Sequence, residues 1–402
     1  MNYLIIGNGV AGMGAIYNIL KYDPNNKITI LTEEKYPFYY RMSLNKILSG
    51  EDTPDKIYGK SLAWYQDRKI ELILDTKVVE GNSAEKWVKT SSGDKFTYDK
   101  LLLATGSNSF VPPINGSDKK GVFTLRTMSD AIAIKIWADK IKNVVIIGGG
   151  LLGLEAGQAL VSMGKEVTIL EYSSRLLARQ LDQYGADLLL KTLTKKGFKF
   201  KLEAKTDKIM GEHTVEGVKL IGGDILPCEL VIISAGVRPA IGLASSLGVV
   251  CDKGIIVDDS MQTNVSDIYA AGDVTEHNGV VYGIWPASME QGSVAGAVIT
   301  GLSYEKYTGT TRSNKLKVVG VDLVSVGDID ADFTKESKIF TENNIYKKLV
   351  IEDNHIIGCI MLGETKGFSL IAEAIKKKIN ISSIKDNIFE PAFNFSYLQN
   401  LI

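Results

Sequence analysis

One pattern occurs twice in this chain and constrains its fold more than any other feature: an apolar run, a glycine cluster, a helical stretch, a second apolar run and an acid. The first copy reads YLIIG, Gly7-Asn8-Gly9-Val10-Ala11-Gly12, GMGAIYNILKY, KITIL and then Glu33. The second reads NVVIIG, Gly148-Gly149-Gly150-Leu151-Leu152-Gly153, LEAGQALVSMG, EVTIL and then Glu171. Strand, turn, helix and strand in that order make a parallel crossover unit, which needs a buried sheet with helices on its faces. The expected class is α/β, with two Rossmann-like dinucleotide-binding domains.

Each residue of such a turn has a task. The first glycine permits the tight strand-to-helix turn, the second lets backbone approach a pyrophosphate, and the third lets helix pack on strand. The helix amides then face the phosphates. One match alone is a weak signal, but two complete copies point to two dinucleotides. Glu171 directly follows EVTIL, where a carboxylate accepts ribose hydroxyls and repels a 2′-phosphate, so NADH is favoured over NADPH. Arg175, four residues later, weakens that preference. In the first copy Thr32 follows KITIL, with Glu33 and Glu34 behind it, and the register of the ribose acid stays open by one residue.

The 402 residues exceed one core at about 150 residues per domain. KLLLATGS, ending at Ser107, reads as a buried strand with a small-residue turn, and Pro112-Pro113 behind it reads as a linker. ELVIISAGVRP and DIYAAGD repeat the strand-to-glycine ending, and the first sheet is expected to resume there. From about residue 311 the character changes: KVVGVDLVSVG has strand patterning and IAEAIKKKI is a basic-ended helix. The expected division is 1–109 with 240–305, 110–239, and a small C-terminal α+β domain over 311–402.

Balanced charge, 46 basic against 47 acidic residues, gives no field toward nucleic acid or an anionic membrane. Cys228, Cys251 and Cys359 are scattered, as are His213, His277 and His355, so neither a disulfide scaffold nor a metal site is expected. The strand-like run at Tyr3 leaves no room for a leader peptide, and no window of about 20 apolar residues lacks charge. A cytoplasmic protein is the default expectation.

TEEKYPFYYRMSLNKIL, LLLATGS, VVIIGGGLLGLE, AGVRP, DIYAAGD and KLKVVGVDLVSVGD together resemble the FAD-dependent pyridine nucleotide oxidoreductases. Within that family the likeness is closest to NADH:rubredoxin oxidoreductase and the NADH-oxidising half of assimilatory nitrite reductase. It runs over essentially the whole chain and implies a glutathione-reductase-like architecture with FAD in the first and last segments and NADH between them. It further implies that Gly7, Gly9 and Gly12 hold the FAD pyrophosphate, Glu33 the adenosine ribose, and Arg41 and Lys46 the phosphate and flavin side. Val79 would meet the adenine, and Ala104, Thr105 and Gly106 would lie along the FAD. Gly272-Asp273 would reach the ribityl chain, with the helix through Glu290-Gln291-Gly292 aiming its positive end at the flavin. Gly148, Gly150 and Gly153 would hold NADH, with Glu155 near the nicotinamide, Glu171 on the ribose and Gly236 close behind.

Lys46 follows the flavin loop and Glu155 opens the NADH helix, so an ion pair beside the flavin is expected, each charge needing the other if buried. The alternatives are a solvated lysine and a first-turn acid favoured by the helix dipole. Trp285 would sit against the flavin or, equally, be a core tryptophan. Arg126 reads as a surface cation at a helix start, with a place on the flavin side as the alternative, and Tyr39-Tyr40 as packing for the flavin loop. Lys376, Lys377 and Lys378 read as a solvated helix end, or as a patch steering an acidic partner.

Relatives that work through thiols carry a CxxxxC, a CxxC or one flavin-facing cysteine in the loop after the second strand. Here that loop reads Arg41-Met42-Ser43-Leu44, and no cysteine precedes Cys228. A thiol relay is therefore not expected, and electrons would leave the flavin directly. The resemblance implies an enzyme passing electrons from NADH through FAD to a small protein such as rubredoxin. An NADH oxidase reducing oxygen and a redox-sensing flavoprotein like apoptosis-inducing factor are the other readings.

Overall fold

The computed structural model describes residues 1–302, 306–311, 313–318, 320–390 and 393–402. The expected end of the first segment pair, at residue 305, lies outside them. Five parallel strands make the first sheet, in the order Ile268–Ala270, Lys100–Leu103, Asn2–Ile6, Lys27–Leu31 and Ile70–Ile73. Their apolar runs are what a parallel sheet covered on both faces requires, and Ile5, Ile30 and Leu102 are fully buried. The second sheet repeats the plan with Lys199–Lys201, Glu166–Leu170, Asn143–Ile147, Leu230–Ile233 and Val122–Phe123.

In both sheets the strand order reverses beside the first strand of the repeat. Each glycine cluster thus opens at a switch point, at the carboxyl ends of the strands, where crevices form. The duplication also goes further than the glycine pattern. A three-stranded antiparallel meander, Val78–Asn82 to Lys95–Thr97 in one unit and Thr206–Met210 to Ile225–Pro227 in the other, precedes the strand on the far side of the switch point. Between the sheets the chain crosses as a two-stranded ribbon, Ser107–Ser109 against Val237–Pro239.

The third layer is a five-stranded antiparallel sheet from Ser313 to Leu362, covered by the helix Phe368–Lys377. Ile371 and Ala374 of that helix share a core with Leu349, Cys359 and Met361. On the other side Tyr346, Ile360 and Leu362 pack with Leu181 and Leu189 of the second unit. A fully buried pair, Lys348 to Asp182 at 3.5 Å, crosses that contact. Losing either partner would strand the other charge out of water.

Close helix approach shapes the first unit. A Cβ on Gly292 would lie 2.1 Å from the Ala11 carbonyl oxygen, and one on Gly296 2.3 Å from that of Ala15. The helices Val10–Tyr22 and Trp285–Ile299 therefore cross in backbone contact and bring their N-terminal ends to the same cavity.

Candidate functional site

Two cavities occupy the two switch points. The one at Gly7 encloses about 590 Å³ and the one at Gly148 about 1640 Å³. Each glycine cluster divides its labour in the order the fingerprint requires. Gly7 (φ +109°) and Gly148 (φ +118°) adopt backbone that a side chain strains, and a Cβ there would strike the Ala104 or Ser234 carbonyl oxygen at 2.1 or 2.2 Å. A Cβ on Gly12 or Gly153 would lie 2.3 or 2.1 Å from the carbonyl of the first glycine. At Gly9 and Gly150 a Cβ would meet nothing within 4 Å, so these positions face open space where a pyrophosphate can approach.

The smaller cavity is lined by Gly7 and Gly9, by Thr32, Glu33 and Glu34, and by Arg41, Val79, Ala104, Thr105 and Gly106. Gly272, Asp273 and Trp285 close its far side. Glu33 is half exposed and meets Lys77 at 3.3 Å, whereas Glu34 is drawn inward to Arg41 and to the Tyr39 hydroxyl. Asp273 accepts from Ser107 Oγ (2.9 Å), Ser288 Oγ (3.2 Å) and Arg126 Nη2 (2.8 Å). Asn8 Nδ2 is buried without a partner at this wall, while its carbonyl oxygen accepts from Tyr65 Oη at 3.1 Å. An orphaned donor beside two helix N-termini suits an anionic, hydrogen-bonding cofactor.

The larger cleft is lined by Gly148 and Gly150 and by Glu171, directly after strand Glu166–Leu170. The Glu171 carboxylate accepts from the amides of Gly149 and Ser173, both at 2.8 Å, which holds it facing the cleft. Gly236 also lines this cleft. Gly283 belongs to both cavities.

Several expectations need correction. Lys46 and Glu155 form no pair. The helices that carry them do pack, with Leu48 in one core with Leu154 and Ala156. Yet the turn at Gly50 brings Glu51 and Asp52 within 3.5 and 3.4 Å of the Lys46 ammonium, at the surface. Glu155 is left without an ionic partner, and burial pushes its carboxyl up to about 7. Neither residue lines either cavity. Gln291 points into the core, where its side-chain oxygen accepts from Gly272 N and Thr275 Oγ1, both at 2.9 Å; it holds the Gly272-Asp273 turn without facing the cavity.

Arg126 is no surface cation, because its guanidinium reaches Ser107 and Asp273 at the cavity wall. Arg175 donates to the carbonyls of Leu181 and Ala178 and is absent from the cleft wall. Tyr39 is buried as packing, whereas Tyr40 is exposed and stacks on Trp285 at 5.8 Å. Sequence reasoning passed over Ser288 and Tyr65 altogether. The polar hydroxyl at the start of the WPAS helix was the one signal for Ser288, and nothing local marks Tyr65.

No cysteine lines either cavity. Burial pushes the Cys228 thiol up to about 12, and that of Cys359 higher still, so neither offers a thiolate. Among the described residues no cluster of His, Cys, Asp or Glu is arranged to hold a metal ion. No helix among them is long and apolar enough to cross a membrane.

Comparison with known proteins adds family matches, relatives and a solved structure. Residues 1–292 match the family model described as pyridine nucleotide-disulphide oxidoreductase, and residues 313–379 match the rubredoxin NAD+ reductase C-terminal domain. The chain is 36% identical over 392 residues to the nitrite reductase [NAD(P)H] of Bacillus subtilis, covering 96% of this chain and 49% of that one. It thus spans about half the length of the nitrite reductase relatives it matches. It is 33% identical to the NADH-rubredoxin oxidoreductase of Clostridium acetobutylicum, with 96% of each chain covered. The crystal structure of the Clostridium acetobutylicum NADH:rubredoxin oxidoreductase superposes with a TM-score of 0.79 at 27% identity, over 100% of this chain and 99% of that one.

Proposed function

Because the chain belongs to the pyridine nucleotide-disulphide oxidoreductase family, we propose that it is an FAD-dependent enzyme that takes hydride from NADH and passes electrons to a small redox protein such as rubredoxin. Bound FAD supplies the redox chemistry, accepting an electron pair as hydride and releasing electrons singly. The chain's own task is to place two flat rings against each other and keep water away. One observation carries this reading: two glycine-loop cavities of the same design share a wall at Gly283.

The family resemblance suggests the residue roles, and the places of most of these residues at the cavity walls support them. Gly7, Gly9 and Gly12 shape the turn that presents the amides of helix Val10–Tyr22 to the FAD pyrophosphate. Glu33 takes the adenosine ribose, Val79 flanks the adenine, and Arg41, Ala104, Thr105 and Gly106 run along the cofactor. Asp273, held by Ser107, Ser288 and Arg126, accepts from ribityl hydroxyls. The first turn of helix Trp285–Ile299 puts its positive end where negative charge grows on reduction. Gly148, Gly150, Gly153, Glu171 and Gly236 hold NADH, and Glu171 disfavours a 2′-phosphate.

Residues 1–109 with 240–305 form the FAD domain, 110–239 the NADH domain and 311–402 the C-terminal domain. The match of residues 313–379 to a rubredoxin reductase module supports a one-electron protein acceptor, and so does the absence of a thiol at the cavity walls. The three cysteines, all free, are in keeping with a reducing cytoplasm.

Anaerobic stopped-flow mixing with NADH tests the first half: the flavin band should bleach within turnover time. Rubredoxin should then restore it faster than air does. Oxygen uptake equal to all NADH consumed with rubredoxin present would replace the acceptor with oxygen, and slow bleaching with a persistent charge-transfer band would favour a sensor.

A further inference from the structure

We infer that residues Val280 to Trp285 form a strap that seats the nicotinamide half of NADH against the flavin, with Tyr282 as the side chain that positions it; this rests on the function proposed above. The segment passes from one cavity into the other. Val280, Val281 and Tyr282 wall the larger cleft, Gly283 walls both, and Ile284 and Trp285 wall the smaller. Glu171 sets the adenosine ribose by its place at the end of strand Glu166–Leu170, and Gly150 is open for the pyrophosphate. A dinucleotide laid from Glu171 past Gly150 must bring its nicotinamide to the end where the cavities meet. Tyr282 stands at that end.

The strap is fixed at both ends and backed along its length. His277 and Val280 exchange two backbone hydrogen bonds, of 3.1 and 3.0 Å, around the positive-φ turn at Gly279. At the other end Tyr40 stacks on Trp285. The buried Tyr307 meets the Tyr282 ring in a T-shaped contact at 5.9 Å and meets His277 at 4.9 Å. His277 in turn bonds Asp259 through Nε2 at 2.9 Å. A Cβ on Gly309 would lie 2.8 Å from the Tyr282 hydroxyl, so the ring has a seat that a side chain there would invade. A ring braced by Tyr307 and bordering the cleft is a platform for another flat ring.

The test uses the FAD-loaded protein and compares NAD+ with ADP-ribose, which lacks the nicotinamide, by calorimetric titration. Tyr282→Ala should weaken NAD+ about tenfold while changing ADP-ribose less than about twofold, the scale of one lost aromatic contact. Tyr282→Phe, which keeps the ring, should restore NAD+ affinity to within about twofold by the same argument. Gly309→Ala should act in the direction of Tyr282→Ala, with the flavin spectrum unchanged. Equal losses for both ligands, or none for either, would overturn the assignment. Unmodified protein that retains no flavin or binds neither ligand would instead overturn the proposed function beneath it.

Discussion

The two nucleotide units share sheet order, meander and glycine logic, yet they enclose space differently. The first is closed over by remote chain: Ser107, Arg126, Asp273 and the helix at Trp285 all fold onto the loop at Gly7. The second encloses a cleft nearly three times larger, with one carboxylate, Glu171, set by backbone amides. Equivalent positions show how the difference arises. Gly14 in the first helix lies against Met289 and Ser293 of the closing helix, whereas the corresponding residue of the second repeat is Glu155. A glycine lets its neighbour approach in backbone contact, whereas the helix Leu44–Ser49 beside Glu155 packs through side chains, Leu48 against Leu154 and Ala156.

The sharpest way to break this comparison is to strike the same turn in each unit. Gly7→Ala forces a Cβ into the Ala104 carbonyl, and Gly148→Ala does the same at Ser234. Gly7→Ala should lower FAD affinity at least about a hundredfold, since several charge-assisted amide contacts of about 1.5–3 kcal/mol each are displaced. Gly148→Ala should leave the flavin absorbance of the purified protein intact and remove its bleaching by NADH. Loss of flavin from both variants would mean that the units are not separate sites.

Next in size is Arg126→Ala. It leaves the Asp273 carboxylate without its cation, and FAD affinity should fall about tenfold to thirtyfold, the scale of a lost charge-assisted hydrogen bond. Flavin fluorescence released on dilution measures it, and NAD+ affinity should stay unchanged in the protein that remains loaded.

These predictions separate what was legible in the sequence from what was not. The glycine clusters were legible because turn geometry and close approach demand glycine wherever the chain folds this way. Ser107 and Asp273 stood at strand ends, and the patterns LLLATGS and DIYAAGD marked them. Arg126 reads first as solvated and only second as a flavin-side cation because its partner lies 147 residues away, and nothing local distinguishes the two. Lys46 failed for the opposite reason. Its neighbours Glu51 and Asp52 were in plain view, but only the left-handed turn at Gly50 folds them back onto the ammonium. The meanders went unseen as duplicates because short strands with exposed faces carry little pattern.

Glu171→Ala probes the cleft with a smaller effect. It removes a ribose acceptor and frees the amides of Gly149 and Ser173, so the KM for NADH should rise about tenfold. The KM for NADPH should change less, which narrows the preference, and flavin content should be unaltered. An unchanged ratio of the two would put the ribose elsewhere.

The smallest effect concerns Glu155, the residue that marks where the units diverge. Burial holds its carboxyl protonated up to about 7, against an ordinary value near 4.5 in the unfolded chain. Folding therefore favours the proton, and the stability this group allows is present below pH 4.5 and lost as pH rises through 7. Between pH 5.5 and 8.5 the melting temperature of the unmodified protein should fall more than that of Glu155→Gln, which keeps the shape without the charge. The difference should be a few degrees at most, since each unit of pKa shift corresponds to about 1.4 kcal/mol and solvent reaches part of the group. Parallel pH profiles would show that the carboxyl ionises freely there in spite of its burial.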